Sequence, residues 1–197
     1  MTRRSGPTRG QNLGVELVIE QMDFDSVLPG VQAGKFTAGV SGISVTPARE
    51  KNTLFTDPYC LAAQAIVVTS DSAVTCKADL TGKKISVQTG TTAEEYCMDE
   101  GYTVLAFTAN NDAASALTSG KVDAWVVDNE VAVALAAAQG LVVLDEAMTS
   151  EPYAFAFPKG SDTLVAEFNK ILNQLITDGT IQGIFDQYGV IYVSPIA

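Results

Sequence analysis

Ala62-Ala63-Gln64-Ala65-Ile66-Val67-Val68-Thr69 is the stretch on which the fold turns. It is apolar almost without interruption, with neither the alternation of a one-sided strand nor the spacing of an amphipathic helix. At this length it reads as a strand covered on both faces, carrying the chain from one folding unit into another. Residues 153–157 (Tyr153-Ala154-Phe155-Ala156-Phe157) have the same character and read as the returning strand. Between the two, strands and helices alternate. A short helix over 77–80 precedes a strand at 84–88, a helix at 91–100 and a strand at 104–107. A helix at 111–119 stopped by Gly120, a strand at 124–127, a helix at 131–138 stopped by Gly140 and a strand at 141–144 complete the unit. Strand, helix, strand in this rhythm predicts right-handed crossovers and largely parallel sheets.

Outside the insertion the same grammar holds. Residues 15–20 alternate Val15, Leu17 and Ile19 with Glu16, Val18 and Glu20, the pattern of a strand with one face better buried. Asp25 or Ser26 can cap a helix carrying Val27, Leu28 and Val31 that Gly34 ends. A strand follows over 36–45, and amphipathic helices over 162–177 and 181–188 close the chain. The predicted architecture is therefore α/β, with two doubly wound lobes joined by crossing strands. The first lobe takes residues 13–66 and 153–197, the second takes 67–152, and residues 1–12 form a disordered polar leader.

Composition removes several functions. The chain has 197 residues, 47% hydrophobic, enough for a substantial core. With 23 acidic against 12 basic residues and a net charge of −11, it repels nucleic-acid phosphates and anionic lipid, so neither is an expected partner. No apolar run approaches the ~18 residues of a membrane span, and the first twelve residues lack the apolar centre of a secretory signal. There is no histidine, and Cys60, Cys76 and Cys97 form neither a CxxC pair nor an even set. The usual zinc constellations are thereby unavailable, Ser-His-Asp and Cys-His catalysis are excluded, and no cofactor or metal is expected.

Ligands of bilobed α/β proteins sit where both sheets present the C-terminal ends of their strands. The loops at 23–26, 41–49, 88–92 and 128–130 follow predicted strands. In Ser41-Gly42-Ile43-Ser44-Val45-Thr46-Pro47-Ala48-Arg49, Gly42 lets the backbone approach a ligand and Ser44 offers a hydroxyl. Arg49 can grip a carboxylate with two parallel hydrogen bonds or, equally, cap a surface turn. Gln88-Thr89-Gly90-Thr91-Thr92 opens a helix, where free N–H groups favour an anion and where Thr91 or Thr92 can also be a plain cap. Asp128 stands at a strand end, ready either for an ammonium group or to cap the next helix. Phe24 is an aromatic wall or a core residue. Taken together the groups match a zwitterion: Arg49, Ser44 and the Thr92 helix start for its carboxylate, Asp128 for its amine.

These residues, in this order, resemble the polar amino-acid-binding proteins of ABC importers, the type 2 periplasmic binding fold. Asp23-Phe24-Asp25 with LPGVQAGK, then SGISVTPAR, FTDPY, LTGKKISVQTGTTAEEY, SGKVDAWVVDN and EPYAFAFPKG correspond to successive family blocks from Leu13 to Tyr188. The resemblance implies Arg49 on the ligand carboxylate with Ser41, Gly42, Ser44, Thr91 and Thr92 around it, Asp128 on the amine, Phe24 stacking, and Gln88 facing the variable side chain. It implies no catalytic residue, an extracytoplasmic or periplasmic location, and ABC importer membrane subunits as partners of the ligand-loaded form. Family members carry a strand, a ligand loop and a helix ahead of the segment that begins here at Leu13, so the first lobe is expected to lack its usual first strand and helix. The strand-like tail 190–193 is expected to fill that slot in its own chain or, as a strand-exchanged homodimer, in a partner's. Two other readings stay open: a shortened or degenerate member that binds nothing, and a dehydratase-like enzyme using a cleft carboxylate as general acid.

Overall fold

The computed structural model describes Gly14 and residues 16–196, so the expected leader over residues 1–12 lies outside the described residues. Two sheets organise the rest. Sheet one is built on β9 (Glu151–Pro158), which pairs antiparallel with β1 (Gly39–Ser44), β2 (Thr53–Phe55) and β3 (Cys60–Ala62). Sheet two has the order β6-β5-β7-β4-β8, from β4 (Gln64–Thr69), β5 (Lys84–Gln88), β6 (Thr103–Phe107), β7 (Ala124–Asp128) and β8 (Leu141–Val143). The chain crosses between sheets at Ala63, which exchanges two hydrogen bonds with Asn129, and returns over residues 144–150.

Burial explains the apolar crossing strand. Along β4, Ala65 and Val67 face a core with Trp125, Val127 and Leu117, while Ile66 and Val68 face the opposite core with Ile85, Val87, Leu80 and Cys97. Helices α3 (Thr92–Asp99), α4 (Asn110–Thr118) and α5 (Asn129–Ala136) cover those two faces. A third core packs Phe155 and Phe157 of β9 under helices α6 (Asp162–Thr177) and α7 (Thr180–Gln187) through Val165, Leu172 and Ile181. Among the described residues no helix is long and apolar enough to cross a membrane.

Strand directions correct the expectation of largely parallel sheets. Only the pairs β5–β6 and β5–β7 are parallel; β4 pairs antiparallel with both β7 and β8, and sheet one is antiparallel throughout its described pairs. The cause is the double crossing: β9 enters sheet one from the other lobe and runs against the three strands that precede it. The strand expected at residues 15–20 is also corrected. Residues 16–23 are not in a strand, and Leu17, Val18 and Ile19 are 54%, 73% and 76% exposed, because no described strand lies alongside to complete a ladder. The expected strand over 36–45 shortens to Gly39–Ser44 and bulges between Gly39 and Ile43. The helix expected near residue 25 is α1 (Phe24–Gln32), with Asp23 rather than Asp25 or Ser26 at its N-cap, and Gly34 at φ +69° ends it. The tail 190–193 is not a ladder strand; one hydrogen bond from Leu61 N–H to Val193 O lays it against β3 of its own chain, and Tyr192 packs on Phe185.

Candidate functional site

Arg49 sits on a single helical turn, α2 (Pro47–Glu50), because Pro47 presets the first turn and Thr46 caps it by accepting from Arg49 N–H. Its side chain is buried, an exception that requires partners. Nη1 donates to the Ser44 carbonyl at 2.9 Å and Nη2 to the Gly90 carbonyl at 3.0 Å, so one guanidinium ties sheet one to the loop after β5. Phe24 lies beneath it, 6.0 Å from ring centre to guanidinium carbon. Gly90 adopts φ +77°, and a Cβ there would stand 3.0 Å from that of Asp25, so α1 and this loop approach backbone to backbone.

Glu151, at the start of β9, is the centre of the polar cluster. Its Oε2 accepts from Ser44 Oγ and Thr92 Oγ1, each at 2.6 Å, and its Oε1 accepts from Thr149 at 2.8 Å and Gln64 at 3.1 Å. The two Nε2 hydrogens of Gln64, which is fully buried, are shared among Glu151, Thr92 at 3.1 Å and Asp128. The other Asp128 oxygen accepts from Tyr153 OH. Burial raises the Glu151 carboxyl, but its four side-chain donors outweigh it and hold the group below the ordinary value. Burial dominates at Asp128, which rises to about 6 despite Tyr153 and Gln64, and at neighbouring Glu130, which rises to about 7. Burial lowers Arg49, while Glu95, Glu151 and Asp128 work to keep it charged. Tyr153, buried beside Asp128, is raised and stays protonated.

The structure thus brings Phe24, Gly42, Ser44, Arg49, Thr92 and Asp128 to one place. Gly42, at φ +58°, puts its backbone against the Tyr153 ring, where a Cβ would come within 3.2 Å. Ser41 stays exposed on the β1 bulge, outside the network. Thr91 is occupied as a cap, donating to the Gln88 carbonyl at 2.6 Å and accepting from Glu94 N–H. Gln88 bonds the Thr108 carbonyl and Asn110, and with Thr91, Asn110 and Asp128 it lines a cavity of about 10 Å³. Glu151, Gln64, Tyr153 and Thr149 were not singled out in the sequence. Gln64 carried a usable signal, a lone amide within an apolar run; Glu151 carried none, since nothing local distinguishes it from a surface glutamate. Burial drives the thiols of Cys60 and Cys97 up to about 12, so both are unreactive.

Residues 9–191 match the model of the bacterial extracellular solute-binding proteins, family 3. The chain belongs to that family. A relative in Escherichia coli K12, an ABC transporter arginine-binding protein, is 31% identical over 173 residues, covering 84% of this chain and 71% of the relative. An ancestral arginine-binding protein solved with arginine superposes with a TM-score of 0.83 at 36% identity, covering 91% of this chain and 83% of its own. An ancestral amino acid-binding protein described as a precursor of cyclohexadienyl dehydratase gives 0.84 at 34% identity, with 91% and 80% covered. For a solute-binding protein of this family, a polar cluster drawn from both sheets is the place where a solute is to be sought.

Proposed function

We propose that this family 3 solute-binding protein holds a free amino acid between its sheets, outside the cytoplasm, and presents it to the membrane subunits of an ABC importer. The observation that carries the reading is the presence of Arg49 and Asp128 within one cluster contributed by both lobes, a cation and an anion for the two ends of a zwitterion. Asp128 and Glu151 outnumber Arg49 at neutral pH, so an amino acid with a cationic side chain is favoured over an acidic one. The arginine-binding relative and the arginine-bound neighbour support that choice. Closing two lobes on the ligand is a binding step with no bond broken, and entry requires them to part, because Arg49 bonds the Gly90 carbonyl and Thr92 bonds Glu151 directly from one sheet's lobe to the other's.

Those direct bonds favour a second reading, a member whose polar groups satisfy one another and bind nothing. A thermal-shift screen of the twenty amino acids separates the two. Ligand at a hundred times its Kd adds about 2.7 kcal/mol, so one or a few cationic amino acids should raise Tm by several degrees. A flat response from folded protein would establish the non-binding reading instead.

A further inference from the structure

The hydroxyls of Ser44 and Thr92 both donate to a single oxygen, Glu151 Oε2. A hydroxyl has one hydrogen and two lone-pair sites. With each hydrogen turned towards β9, what the two oxygens present elsewhere is lone pair alone, one site on Thr92 being taken by Gln64 Nε2 at 3.1 Å. Glu151 is itself held in place: its other oxygen accepts from Thr149 and Gln64, and a different rotamer strands four donors at once. Gln64 adds a further acceptor, because its Oε1 is buried and has no hydrogen-bond partner among the described residues. The middle of the cluster therefore consists of acceptors: Asp128, Ser44 Oγ and Gln64 Oε1. Donors come from two other directions. Arg49 has five N–H groups, of which two hydrogen bonds to carbonyls are accounted for, and Thr92 opens α3, where the first N–H groups have no acceptor within the helix.

We infer that Glu151 is a positioning residue that sets the hydrogen-bond polarity of the cleft, turning Ser44 and Thr92 into acceptors for the ligand's ammonium group. The ligand carboxylate is then left to Arg49 and the N-terminus of α3. This rests on the amino-acid-binding reading, and it reverses the part given to Ser44 by sequence, where its hydroxyl was assigned to the carboxylate.

The test compares the wild-type chain with Glu151→Gln, a substitution of the same shape whose amide can turn an NH2 towards the two hydroxyls. In ligand-free protein, NMR should find the Ser44 and Thr92 hydroxyl protons downfield and slow to exchange, and both signals should vanish in E151Q. Calorimetric titration with L-arginine and with 5-guanidinopentanoic acid, which lacks only the amino group, reads the ligand side. The wild type should prefer arginine by about 30-fold, and E151Q should cut that preference to about threefold by weakening arginine alone. A purely structural role would weaken both compounds equally, and that result overturns the inference, as do wild-type hydroxyl protons in free exchange. A wild type that binds neither compound overturns the ligand half of the inference, whereas only silence to all twenty amino acids overturns the amino-acid reading; the hydroxyl protons decide the positioning half separately.

Discussion

Asp128 and Glu151 share one hydrogen-bonded cluster yet depart from ordinary carboxyl behaviour in opposite senses, which gives the protein an unusual pH response. Asp128 rises to about 6 and Glu130 to about 7, so each holds a proton more tightly folded than unfolded. Their ionisation opposes folding, and stability should increase as pH falls from about 7 towards 5. Glu151 is lowered, so its contribution is complete above the ordinary glutamate value and is lost as pH falls through its folded value. Denaturant melts at pH 7, 5 and 3 should therefore pass through a maximum near the middle, and Asp128→Asn should flatten the rise from neutral pH. Affinity for an ammonium-bearing ligand should move the other way, dropping several-fold as Asp128 takes up its proton below about 6. Arg49→Ala has a structural cost beside the functional one. It leaves the carbonyls of Ser44 and Gly90 without their donor, and about 1–3 kcal/mol of stability should be lost in equilibrium unfolding.

At the scale of elements, β4, β5 and the helices α3 to α5 were legible because each obeys a local rule: a continuous apolar run for a strand covered on both faces, a glycine past each helix end, a hydroxyl at the start of α3. Residues 15–20 obeyed a local rule as well and still failed to form a strand, since alternation marks a face but does not supply a neighbour to bond. Strand direction was hidden for a related reason: it depends on how β9 returns, which no window of sequence around β1 or β2 contains. In the site, Arg49, Thr92 and Asp128 were legible from residue type at loop positions, whereas Glu151 became visible only once β9 brought it to Ser44 and Thr92. The contact between α1 and the loop after β5 gives a sharp prediction. Gly90→Ala puts a Cβ at a positive φ and 3.0 Å from Asp25. Backbone strain of about 1–2 kcal/mol and a held-open cleft should follow, seen as a lower Tm together with roughly tenfold weaker ligand binding.

Across the whole molecule, two lobes with separate cores meet through few polar groups, while the chain carries a net charge of −11. The core of sheet one depends on β9: Phe157→Ala, at a fully buried position, should cost about 3–5 kcal/mol in chemical denaturation. Excess negative charge over the whole surface also attracts a cationic ligand from a distance, so its association rate should fall as salt rises. The central claim is that the cluster uniting the lobes is a receptor for an amino acid. Isothermal titration of the folded wild-type chain with L-arginine, alongside Arg49→Ala, tests it most directly. The account predicts saturable binding of one arginine per chain, abolished or weakened at least a hundredfold by the substitution; binding that survives in Arg49→Ala unchanged, or no binding of any amino acid to the wild type, would contradict it.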